Sequence, residues 1–163
     1  MDANTAEVLR KYLLNHLEHE HPVTLTVIEA CPDDKLQYKP HEKAMEFGAM
    51  AVHIYGATKW FISLIKKGQG GGGEPPPPPT TKAGIIAACK AMQEEFVKEL
   101  KALSTDELVA KHDVMGFMQE HGIILMTWHA NHMIHHRAQL QTYLRTMGAK
   151  CPSIYGGSAD TAM

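Results

Sequence analysis

The sequence predicts an all-α fold: a four-helix bundle with a long Gly/Pro-rich connection between the second and third helices. Three observations predict it. Four long segments repeat their apolar residues at helical spacing. No segment shows convincing alternation of apolar and polar residues, so no strand is expected. One low-complexity break, residues 68–79, interrupts the helical pattern.

The first segment carries Val8, Leu9, Tyr12, Leu13 and Leu17 at helical spacing, and Asn4 with Glu7 forms a capping-box pattern at its start. Pro22 is expected to bend or split this helix, and Pro32 to end its continuation through Leu25 and Ile28. Residues 31–41, with Pro32 and Pro40, read as a turn region. A second helix is expected over residues 42–67, where Met50, His53, Ala57, Trp60 and Leu64 form one stripe by steps of three and four. The glycines after Lys67 and the prolines 75–79 then exclude helix, the prolines favouring extended polyproline II, and the run reads as a connector. A third helix spans about residues 81–103, with Ile85, Ala88, Met92, Phe96 and Leu100 on one face. Ser104 and Glu107 form a second capping box before a short helix reaching about Lys111. The fourth long helix is expected over residues 118–147, with Gly148 as its C-terminal stop and an irregular tail after it.

Residues 1–163 are most simply one domain with a real core. Hydrophobic content of 44% and charged content of 21% are ordinary for a globular protein. A net charge of -2 supplies no electrostatic footprint for nucleic acid. The most apolar stretch, residues 44–65, carries Glu46, His53 and Lys59, so no membrane span is expected. The N-terminus lacks the basic start and apolar run of a secretion signal. Cys31, Cys89 and Cys151 are odd in number and far apart, as expected of free core thiols in a reducing cytoplasm.

The chemistry concentrates in residues 128–137, which hold four of the eleven histidines. His129, His132 and His136 fall within roughly 60° of helical arc. His132 and His136 are an i, i+4 pair that can converge on one point, and they share a face with Leu140, Tyr143 and Met147. Inward imidazoles should be neutral and need partners, and a metal ion supplies one. His129 could replace one member of the pair, but about 10.5 Å of helix separates it from His136, so all three cannot easily share an ion. His135 points away. His53, mid-helix in its stripe, is the strongest third candidate. Three histidines with an open position are the pattern of catalytic transition-metal centres. The residues between His132 and His136 lack the glutamate of a zincin, and the helices carry no pair of carboxylates at Glu-x-x-His spacing as a di-iron bundle would. His16, His19 and His21 read as a polar helix end; His41, His112 and His121 carry no signal.

The run His132-Met133-Ile134-His135-His136-Arg137-Ala138-Gln139-Leu140, continuing to Arg145, with Gly148 and Pro152-Ser153-Ile154-Tyr155-Gly156, resembles the C-terminal signature of the DinB/YfiT-like metalloenzyme family. His53, roughly eighty residues earlier, and the turn Tyr38-Lys39-Pro40 are similar to that family too. The resemblance covers most of the chain in layout and is specific over His53 and residues 128–156. It implies a helical bundle, often a homodimer, holding a divalent metal, usually zinc or nickel, on His53, His132 and His136. The Gly/Pro run 68–79 is a departure that could alter substrate preference if it borders the site.

The resemblance further implies a transferase that uses a low-molecular-weight thiol against an electrophilic small-molecule substrate; a coordinated thiol loses its proton. A hydrolase is the close variant. The alternative from another class is a non-catalytic dimeric metal-binding protein, its ion closed by a fourth ligand such as His129 or a carboxylate. No general base is identified: Tyr55 should face away from His53, Gln139 and Tyr143 could approach the site, and Arg137 is expected in a surface salt bridge.

Overall fold

The first helix, α1 (Ala3–Glu29), opens on Asp2, whose carboxylate accepts from the Thr5 amide at 2.9 Å. The fold, taken from a computed structural model, is described for residues 1–68, 70–71 and 77–161. Asp2 rather than Asn4 is the cap, and Glu7 is engaged instead by Arg10 and Thr105. Pro22 lies inside α1, which neither splits nor stops there. Its missing N–H would have served Glu18, an exposed residue whose carbonyl water can satisfy. His16, His19 and His21 are consequently mid-helix. His16 stacks on Tyr12, His19 Nδ1 bonds the Asn15 carbonyl at 2.8 Å, and His21 Nδ1 meets the Tyr55 hydroxyl at 2.7 Å.

A 3-10 turn (Asp33–Lys35) leads to α2 (Phe47–Lys67). This helix starts five residues later than the stripe predicts. Its first amides are satisfied by the preceding loop, Phe47 N–H by Tyr38 O and Gly48 N–H by Leu36 O, which fixes the start there. Its buried face is broader than expected and includes Ile54, Tyr55, Phe61 and Ile62. The predicted stripe runs along the edge of that face, leaving His53 partly open to solvent.

Helix α3 (Lys82–Ala102) is capped by Thr81, and its centre is filled by Cys89 and Gln93 rather than by Ala88 and Met92. Helix α4 (Thr105–Val109) carries the full Ser104–Glu107 capping box. The expectation of a strand-free chain fails at the next element: β1 (Lys111–Val114) pairs antiparallel with β2 (Met118–His121). The turn between them uses Met115 at φ 55° and Gly116 at φ 77°. The last helix, α5 (Gly122–Thr146), therefore begins four residues later than expected. It closes as anticipated around Gly148: at φ 80° this residue donates to Arg145 O, and Ala149 donates to Leu144 O, a Schellman motif.

Helices α1, α2, α3 and α5 form a four-helix bundle in which α1 and α2 each pack against both α3 and α5. Cross-helix bonds give the directions. Cys89 to Ala51 and Lys66 to Glu99 make α2 and α3 parallel. Met1 to His121 and Glu20 to Arg137 make α1 and α5 parallel. Thr58 to His129, with His53 to His132, sets α2 against α5 in the opposite direction. Parallel neighbours need a connection that returns along the bundle, about 30 Å for helices of this length. Residues 68–81 supply it; at the polyproline rise of about 3.1 Å per residue they can reach roughly 43 Å. Of the run's five prolines, Pro75 and Pro76 lie outside the described residues, and Pro77, Pro78 and Pro79 belong to no helix or strand. No helix is long and apolar enough to cross a membrane, among the described residues.

Candidate metal centre

Three imidazoles meet on the seam between α2 and α5. His53 comes from the second turn of α2, and His132 and His136 from successive turns of α5. One ring nitrogen from each lies within 4.8 Å of the others, and among the described residues no fourth His, Cys, Asp or Glu joins them. His53 Nε2 and His132 Nε2 are 3.1 Å apart. Ring centroids are 4.9 Å apart for His53–His132 and His53–His136, and 4.3 Å for His132–His136. Two nitrogens bound at zinc-like distances on a tetrahedral ion lie about 3.3–3.4 Å apart, so the cluster is close to the size an ion needs.

The donor chemistry fits as well. Gln139 Oε1 accepts from His136 Nδ1 at 2.7 Å, and the Gln139 Nε2 amide faces His135 Nε2 at 3.3 Å. This chain of bonds puts the His136 proton on Nδ1 and leaves Nε2 as a free lone pair. Burial, and then the neighbouring His136, pushes the His53 pKa down. Burial, His136 and His53 push His132 down to about 4. At neutral pH both are therefore neutral rings able to donate a lone pair. Among the described residues His132 has no counterpart to Gln139, and its buried Nδ1 has no hydrogen-bond partner.

The remaining expected residues divide clearly. His129 is fully buried, stacked on Phe96 at 3.9 Å with Nε2 3.0 Å from Thr58 Oγ1, and is not part of the cluster. His135 is exposed. Tyr55 is buried on another face of α2, as anticipated. Tyr143 packs edge-on against Tyr38 instead of reaching the histidines. Cys31, Cys89 and Cys151 are free and buried; burial raises the Cys31 thiol to about 11 and Cys89 to about 12, so neither is a nucleophile near neutral pH.

Arg137 is the main correction. It is not in a surface salt bridge: Arg137 and Glu20 are buried and paired at 2.6 Å. The Tyr155 hydroxyl donates to the same Glu20 oxygen at 2.7 Å and accepts from Arg137 at 2.5 Å. Burial raises the Glu20 pKa, but Tyr155 and Arg137 outweigh it and the net shift is downward. This network clamps α1, α5 and the tail beside His136. Sequence reasoning missed Glu20, although a signal existed: Leu13, Leu17, Glu20 and Thr24 follow one helical face, with a carboxylate where an apolar residue is due.

Fold and cluster together define the class: an α-helical bundle in which three imidazoles from two helices could hold one divalent cation. The sequence matches the DinB family over residues 1–162, and the chain belongs to that family. It is 27% identical over 138 residues to the uncharacterized protein YjoA of Bacillus subtilis (strain 168), covering 83% of this chain and 89% of YjoA. The crystal structure of the B. subtilis DinB-like protein YjoA is similar, with a TM-score of 0.69, 25% identity, and coverage of 88% of this chain and 97% of that one. A DinB-like protein from Bacillus cereus ATCC 10987 shares the fold, with a TM-score of 0.74 at 23% identity, over 88% of this chain and 95% of the other.

Proposed function

We propose that this protein is a metal-dependent enzyme in which His53, His132 and His136 hold a divalent transition metal, zinc or nickel, with a coordination position left for a small molecule. The observation that carries the reading is the convergence of three ligand nitrogens within 4.8 Å, without a fourth protein ligand among the described residues. A catalytic centre keeps such a position, whereas a structural one closes it. His129, the residue that could have closed it, is committed to Thr58 and Phe96.

The reaction we favour is transfer of a low-molecular-weight thiol to an electrophilic small molecule. When bound, the ion acts as a Lewis acid and favours the deprotonated form of the thiol. The chain's own part is to present lone pairs: Gln139 fixes the His136 tautomer, and the lowered pKa values of His53 and His132 keep them unprotonated. Cys31 and Cys89 are protonated by burial, and among the described residues no cysteine joins the three histidines, so the reading takes its thiol from solution. We read residues 1–163 as one domain acting as a cytoplasmic homodimer. A panel of small thiols with an electrophilic acceptor tests the reaction. Turnover lost on chelation, restored by added zinc or nickel, and absent from His132→Ala supports it. Turnover indifferent to chelation and to His132 overturns it, and metal-dependent hydrolysis without thiol replaces it with the hydrolase.

A further inference from the structure

The chain has two tryptophans, and both stand beside the seam that carries the three histidines. Trp60 follows His53 by seven residues on α2, and Trp128 precedes His132 by four on α5. Each leaves its helix within roughly 20–40° of the neighbouring histidine. The Thr58–His129 bond and the His53–His132 approach fix the antiparallel register of the two helices. By that register Trp60 faces residues 125–127 of α5, within about one turn of Trp128. The two indoles therefore flank the seam on the same side of the candidate centre, roughly 6 and 10 Å from it along the helix axes. Ala57, one turn from His53, lies between the histidines and the indoles. Ala57, Trp60 and Trp128 are all partly buried against the core, none of them sealed inside it. Trp60 is held in place: its ring meets Phe61 at 89° with centroids 4.9 Å apart, and the Gly70 backbone lies so close that a Cβ there would collide with the indole.

A ligand at the open position of a three-histidine ion has to lead its organic part away from the metal. In one direction along the seam it meets Gln139 and exposed His135, both polar. In the other it meets the Ala57 methyl and then two indoles. Indole rings favour planar aromatic partners, stacked or edge to face, over apolar groups of other shape. We propose that the ligand taken up at this centre carries an aromatic ring, seated over Ala57 between Trp60 and Trp128 and joined by a short spacer to the atom at the metal. The proposal rests on the three-histidine metal reading and narrows it to an aryl-bearing small molecule.

The probe is 4-phenylbutane-1-thiol, whose four-carbon chain lets the sulfur sit at the ion while the ring reaches the indoles. It is titrated into the zinc-loaded full-length protein beside butane-1-thiol and 4-cyclohexylbutane-1-thiol, with zinc content and tryptophan emission measured on each sample. The phenyl compound is expected to bind once per zinc, about fivefold more tightly than butane-1-thiol and about twofold more tightly than the cyclohexyl compound, and to shift tryptophan emission saturably. Trp60→Leu and Trp128→Leu each reduce that preference by about half or more, and the double change abolishes it. Both keep one zinc per chain and their affinity for butane-1-thiol. Trp60→Phe and Trp128→Phe retain most of the preference, which separates a lost ring contact from a disturbed fold. Equal affinity for the three thiols, a preference that survives the double leucine change, or emission unmoved at saturation overturns the aromatic subsite and leaves the metal centre standing. A wild type that holds no zinc overturns the metal reading, and the subsite falls with it.

Discussion

At the residue scale, the histidines of α5 share one helix and differ entirely in role because of what each touches. His136 is oriented by Gln139; His129 is sealed against Phe96. Replacing Gln139 by Leu removes the acceptor for Nδ1–H and is expected to weaken zinc binding about 10- to 100-fold in a competition titration, without moving the metal-free thermal midpoint by more than a degree or two. His129 makes a pH prediction. Burial, and then His132, lowers its pKa to about 3, well below the ordinary histidine value. Above pH 6.5 neither the folded nor the unfolded ring is protonated and stability does not depend on it. As pH falls below 6.5 the unfolded chain gains a proton that the native state refuses. Stability therefore drops by about 1.4 kcal/mol per pH unit from this ring until pH approaches 3. In metal-free protein the urea midpoint should fall more steeply between pH 6.5 and 4 in wild type than in His129→Leu; equal slopes would show that the ring is not the titrating group.

At the scale of elements, periodicity and capping make most of the helices legible in the amino-acid sequence. The Ser104–Glu107 box and the Gly148 stop act where they are expected, and α3 lies within a residue of its predicted ends. The hairpin is not legible because Met118-Gln119-Glu120-His121 are acceptable helix residues; only pairing with Lys111–Val114 makes them a strand. Of the two outcomes expected at Pro22, a bend or a split, the split is absent; the carbonyl the proline frees belongs to exposed Glu18, where water can take the place of the missing N–H. The buried Glu20–Arg137 pair is illegible as a pair, since its members are 117 positions apart. Removing one side, Glu20→Ala, strands a buried guanidinium and should cost about 3–5 kcal/mol in urea unfolding, whereas Glu20→Leu with Arg137→Met should recover most of it. The connection between α2 and α3 also touches the fold at a definite point. A Cβ on Gly70 would collide with the Trp60 indole. Trp60 follows His53 by seven residues on the same face, about 10 Å along the axis. Gly70→Val should therefore displace the Trp60 indole and change its fluorescence, while leaving the far side of the bundle unaltered.

At the scale of the whole molecule, the topology explains both the long connection and the placement of the candidate centre. Parallel α2 and α3 require a chain that travels back along the bundle, which a two-residue turn cannot do. Antiparallel α2 and α5 bring the His53 turn against the His132 and His136 turns, so two helices suffice to assemble three ligands. The candidate ligands are readable because the i, i+4 rule survives folding; what the sequence could not display is which residue orients the rings and whether a fourth ligand closes them. A cation binding only the native cluster should stabilise the fold, by about 4 kcal/mol at a free concentration one thousand times its Kd, and raise the thermal midpoint accordingly. The most direct measurement is metal content after dialysis against limiting zinc or nickel, made in parallel on wild type, His53→Ala and His136→Ala. One equivalent per chain in wild type, with under a tenth of that in either folded variant, is the predicted result. A wild type that retains no stoichiometric metal, or variants that keep a full equivalent, would contradict the three-histidine centre.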